Sequence, residues 1–75
     1  MTLGNLKTGQ SGTILKIHVS GALKRRLMDM GLVCGAEVCV EKVAPKGDPI
    51  EFRIKSYALS LRRGEARQIE VEAIY

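Results

Sequence analysis

A chain of 75 residues has room for one small domain, since ordinary domains run to roughly 100–150 residues. It buries only about 60% of the surface its unfolded form exposes, which excludes a doubly wound nucleotide-binding fold, an α/β barrel or an enzyme with two lobes around a cleft. The composition is 45% hydrophobic and 27% charged, with one Phe, two Tyr and no Trp, so an ordinary globular core must be built from aliphatic side chains.

The net charge of +4 is unevenly placed. Residues 1–30 carry Lys7, Lys16, Lys24, Arg25 and Arg26 against Asp29, and the rest of the chain is balanced. Such a basic segment attracts an acidic protein surface, phosphates or anionic lipid, or else forms a solvated helix face.

In chain order, Leu3 through Lys7 reads as a turn or short helix whose Leu3 and Leu6 cover one end of a barrel. Thr13–Val19 is β-branched and bounded by turn formers, the pattern of a strand. Its alternation puts Leu15, Ile17 and Val19 on one face and Ile14, Lys16 and His18 on the other. Ser20 is placed to cap a helix over Ala22–Met30, with Leu23, Leu27 and Met30 on the inward stripe. Gly31 then ends the helix in a left-handed conformation. Gly35 suits the third position of a type II turn.

Glu37–Val43 is the next strand. Two prolines, a glycine and an aspartate make Ala44–Pro49 a loop. Ile50, Phe52 and Ile54 alternate with Glu51, Arg53 and Lys55, the clearest half-buried strand in the chain. Tyr57–Leu61 is a short strand or bridging segment, and Arg62–Ala66 a tight turn. Gln68–Ile74 closes the chain with Ile69, Val71 and Ala73 inward. Five short strands and one helix between the first two predict a mainly all-β, closed or nearly closed small barrel forming a single domain over residues 1–75.

No apolar run approaches the roughly 18–20 residues that span a bilayer, and there is no secretory pattern. Two cysteines are too few for a disulfide scaffold, so a reduced, cytoplasmic protein is expected.

Particular residues also point to a family. Arg26-Leu27-Met28-Asp29-Met30-Gly31-Leu32, followed by Gly35-Ala36-Glu37-Val38, resembles the hallmark of the FeoA family. Ala44-Pro45-Lys46-Gly47-Asp48-Pro49-Ile50-Glu51, then Tyr57–Arg62, then Ile69-Glu70-Val71 match it in the same order. The resemblance covers essentially the whole chain and implies an SH3-like five-stranded β-barrel. It further implies a cytosolic accessory protein of bacterial ferrous iron uptake, acting with the membrane transporter FeoB and its cytosolic GTPase domain. The module also resembles the C-terminal domain of diphtheria-toxin-repressor-type metal regulators. Many relatives carry Pro where this chain has Cys34, which should leave the turn slightly looser.

The chemistry of the side chains argues against an enzyme. His18 is the one histidine, without a Cys or Ser partner at a recognisable spacing, and no Gly-rich phosphate loop is followed by Lys-Ser or Lys-Thr. Cys34 and Cys39 lack the second ligand pair of a zinc site, and Asp48 and Glu51 beside Lys46 do not form a cage for a hard cation. No catalytic residue, cofactor site or metal site is therefore assigned.

The helix is the better functional candidate. A rotation of about 100° per residue places Met28 outside the inward stripe, between Lys24 and Arg25. An adaptable apolar side chain ringed by cations suits a partner surface, although a short helix wedged on a barrel could also bury it. Lys46 and Asp48, on the proline-stiffened loop, form a second candidate contact. The expected function is a noncatalytic module that docks on a FeoB-type transporter, peripheral to the membrane only through that partner. Nucleic acid is not expected, because no aromatic residues interleave with the basic cluster. A nucleic-acid-binding barrel, a metal-sensing module and a proline-rich-peptide reader remain the alternatives.

Overall fold

A computed structural model describes residues 1–74. Its elements are a 3-10 turn at Leu3–Asn5, β1 (Ser11–Ile17), α1 (Gly21–Asp29), β2 (Glu37–Val43), β3 (Ile50–Ile54), β4 (Tyr57–Leu61), α2 (Arg63–Ala66) and β5 (Ile69–Ile74). The five strands form one antiparallel sheet in the order β4-β3-β2-β1-β5. This is the expected small rolled sheet with one helix of nine residues between its first two strands. The segment Arg62–Ala66, expected as a tight turn, is wound into the single helical turn α2, which packs against the 3-10 turn.

The core follows the alternation where the alternation is clean. Ile50, Phe52 and Ile54 are fully buried on β3, as are Ile69 and Val71 on β5. Leu3 and Leu6 join the same cluster from the amino-terminal turn. Gly12 sits where β1 and β5 approach closely: a Cβ there would meet the Val71 Cβ at 3.2 Å and the Leu6 Cδ1 at 3.3 Å.

The expected phase of β1 is wrong over its middle. Ile14 is buried and Leu15 is 52% exposed. The cause is a bulge: Ile14 pairs with Val71 and Lys16 with Glu70, leaving Leu15 as an extra residue. An inserted residue reverses which face the following side chains occupy. Gly12 and Ile14 therefore point inward before the bulge, and Ile17 and Val19 pack inward after it.

Helix α1 ends as its sequence requires. Gly31 has φ +94°, its N–H bonds to the Met28 carbonyl at 3.0 Å, and the Leu32 N–H bonds to the Leu27 carbonyl at 2.9 Å. These are the two hydrogen bonds of a Schellman ending, and the hydrophobic partners it brings together, Leu27 and Leu32, are both fully buried. The start differs from expectation. Ser20 occupies the cap position but its hydroxyl makes no capping bond, and Gly21, the first residue of the helix, has φ +68°.

Candidate functional site: a basic groove beside the first helix

The Schellman ending and the turn after it set the position of one surface groove. The Ala36 N–H bonds to the Val33 carbonyl at 3.0 Å and Gly35 has φ +91°, so the turn forms with Cys34 at its second position. The Gly35 N–H then bonds to the Ile14 carbonyl at 2.7 Å and the Ile14 N–H to the Ala36 carbonyl at 2.8 Å. These bonds lash the turn to β1. Between β1, α1 and this turn lies an open groove of about 360 Å³ lined by Lys16, Ile17, Lys24, Met28, Val33 and Cys34.

Of the residues expected at a partner surface, Lys24 and Met28 meet in this groove. Met28 is 47% exposed, which decides between the two readings of the helix: it is not wedged into the barrel. Arg25 is exposed on the same helix but does not line the groove. Val33, 40% exposed, together with Ile17, Lys16 and Cys34, completes the site. Sequence reading did not assign these four residues to a partner surface, because the bulge, the helix ending and the turn bring them together only in three dimensions.

Lys46 and Asp48 lie elsewhere, at the tip of the β2–β3 hairpin. Lys46 is exposed and forms no ion pair among the described residues. Asp48 is engaged within the domain: its Oδ1 accepts the Arg63 N–H at 2.8 Å, at the start of α2. Arg63 in turn donates from Nε and Nη2 to the Gly47 carbonyl, at 3.1 and 2.9 Å, and from Nη1 to the Gly4 carbonyl at 2.8 Å. The hairpin tip, α2 and the amino-terminal turn are thereby held as one unit.

His18, in the segment after β1, donates from Nε2 to the Glu70 carboxylate on β5, and both side chains are about half exposed. The His18 hydrogen bond holds the Glu70 carboxyl below its ordinary value of 4.5. A carboxylate depressed in the folded state supports folding above the unfolded value, and that support disappears as pH falls through the folded value. In His18→Ala, Glu70 should titrate closer to 4.5, as read from its carboxyl carbon shift by NMR. An unchanged titration would contradict this coupling.

Among the described residues, no three His, Cys, Asp or Glu side chains gather in a way that could hold a metal ion. Cys34 is an exposed free thiol and Cys39 a half-buried one. Among the described residues, no helix is long and apolar enough to cross a membrane.

The profile of the FeoA domain matches residues 1–73. The chain belongs to the FeoA family. It is 40% identical over 74 residues, 99% of its length, to an Fe(2+) transport protein A/Fe(2+) transporter FeoB fusion protein of Porphyromonas gingivalis, and spans 9% of that protein. The FeoA protein of Chlorobium tepidum, solved in solution, is 41% identical and superposes with a TM-score of 0.95 over 100% of this chain and 71% of that one. Stenotrophomonas maltophilia FeoA, an SH3 domain protein solved in complex with zinc, is 30% identical with a TM-score of 0.79, covering 96% and 89% of the two chains. The rolled sheet of this FeoA domain is thus an SH3-like barrel.

Proposed function

We propose that this FeoA domain is a noncatalytic, cytoplasmic accessory module of bacterial ferrous iron uptake that docks on a FeoB-type transporter and modulates it. The observation that carries the choice of partner is the Porphyromonas gingivalis protein, in which a 40% identical segment is fused to FeoB in one polypeptide. The Stenotrophomonas maltophilia relative, proposed as a ferrous iron transport activating factor, supports the same reading. Ferrous iron is the transporter's cargo and need not touch this domain.

The docking face is α1 with its groove. Lys24 and Arg25 steer an acidic surface towards it, and Met28 repacks against whatever arrives. Modulation follows from differential binding: the domain shifts the transporter's conformations only as far as it prefers one over another. A nucleic-acid reading has less support, since Phe52 is buried and Tyr57, the exposed aromatic among the described residues, does not line the basic groove.

The test is calorimetric titration of the transporter's cytosolic GTPase domain into this chain, once for each nucleotide state. Met28→Asp should weaken binding about tenfold or more. Arg25→Glu should weaken binding less, with a loss that shrinks as salt is raised. Folded variants that both keep wild-type affinity would refute the docking face, and equal affinity for every nucleotide state would refute modulation through that domain.

A further inference from the structure

Resting on that docking reading, we propose that the groove between β1 and α1 is a peptide site for an acidic segment of the transporter's cytosolic part. An aliphatic side chain of the segment seats between Met28 and Val33, and its flanking carboxylates meet Lys16 and Lys24.

Four observations carry the choice of occupant. First, the lining combines apolar Ile17, Met28 and Val33 with two lysines and no acid. Second, neither Lys16 nor Lys24 forms an ion pair among the described residues; Lys16 has Glu70 as its cross-strand neighbour, so Lys24 is the rim charge most open to a ligand. Third, a larger opening, about 500 Å³ beside β2 and β3, already holds both signs of charge: Glu37 lines it with Arg53 and Lys55, and Arg53 is paired with Glu41. It offers no comparable excess. Fourth, the groove is concave. A concave apolar surface accepts a single inserted side chain, whereas a bilayer is met by protruding ones.

The chemistry of each wall fits an extended acidic peptide. Met28 is flexible and polarizable, so it can close over aliphatic side chains of differing shape. Lysine ammonium groups take carboxylates as point charges from a range of directions, without the fixed bidentate geometry that arginine imposes. A free phosphate would satisfy the lysines but leave the apolar walls uncovered.

Cys34 provides a native reporter, since its exposed thiol lines the groove while Cys39 does not. In a Cys39→Ala background, the rate of maleimide labelling at Cys34 reads occupancy directly. The probes are overlapping synthetic peptides spanning the transporter's cytosolic sequence, the intact cytosolic domain, and vesicles of phosphatidylglycerol. Acidic peptides containing an aliphatic residue should slow labelling about tenfold at about ten times their Kd. Lys24→Glu should weaken those peptides about tenfold, and a peptide with its acids changed to lysine should recover part of the loss.

Protection by the intact domain with none from any acidic peptide would overturn this inference and leave the docking face standing. Protection by acidic peptides without binding of the intact domain would sustain the groove's preference and refute the docking reading. Equal protection by neutral or basic peptides, or protection by the vesicles alone, would overturn the inference.

Discussion

Phe52→Ala should cost this domain a large part of its folding stability. The side chain is fully buried on β3, an interior strand flanked by β4 and β2, and Phe-to-Ala changes in cores cost about 3–5 kcal/mol through lost transfer energy and the cavity left behind. At roughly 0.05–0.15 kcal/mol per residue, a domain of 75 residues has a total stability of only about 4–11 kcal/mol. The loss is thus a large fraction of the whole. Thermal unfolding followed by circular dichroism should show a midpoint lowered by about 12 °C or more. Tyr57→Ala is the control: its ring is 52% exposed, and the change should stay within about 0.5 kcal/mol. Comparable losses in the two variants would mean that β3 does not carry the core.

Arg63→Ala should cost about 2–3 kcal/mol, because hydrogen bonds from a charged donor are individually strong and the carbonyls left behind lose their partner. The guanidinium spans two separate segments, reaching the Gly47 and Gly4 carbonyls at once. Arg63→Lys keeps the charge but replaces a planar fork by a point, so it should recover only part of the stability. Urea unfolding gives both values. Arg63 does not line the groove, so affinity for the transporter's cytosolic domain should be unchanged in either variant. Full recovery with lysine would mean that charge alone, rather than the bridging geometry, holds the hairpin tip to α2.

The two kinds of residue differed in how visible they were from sequence. Ile50, Phe52 and Ile54 could be assigned because a strand exposed on one face writes its burial as strict alternation. Leu27 and Gly31 were similarly legible, since a helical stripe and a helix ending have local chemistry, whereas the burial of Leu32 emerged only with the fold. Leu15 was misplaced because a bulge has no fixed residue signature, and one inserted residue reverses the phase. Arg63 was hidden for a different reason. Its partners, Gly4 and Gly47, offer only backbone carbonyls, which carry no side-chain pattern. Asp48 looked available for a partner, whereas the fold uses its carboxylate to receive the first amide of α2.

The site was half legible. Helical projection separated Met28 and Lys24 from the buried stripe, because angular position on a helix depends on spacing alone. The opposite wall could not be projected in that way. Lys16 and Ile17 arrive from a bulged strand, and Val33 and Cys34 from a turn lashed to β1 by the hydrogen bonds of Ile14. Their contact with the helix is tertiary, and no local period encodes it.

The most direct examination of the docking claim is an amide NMR titration of the isotope-labelled chain with the unlabelled cytosolic domain of a FeoB-type transporter. Perturbations concentrated at Lys16, Lys24, Met28, Val33 and Cys34 are the result expected. Perturbations confined to the hairpin tip around Lys46, or none at a concentration of cytosolic domain that saturates binding, would contradict it.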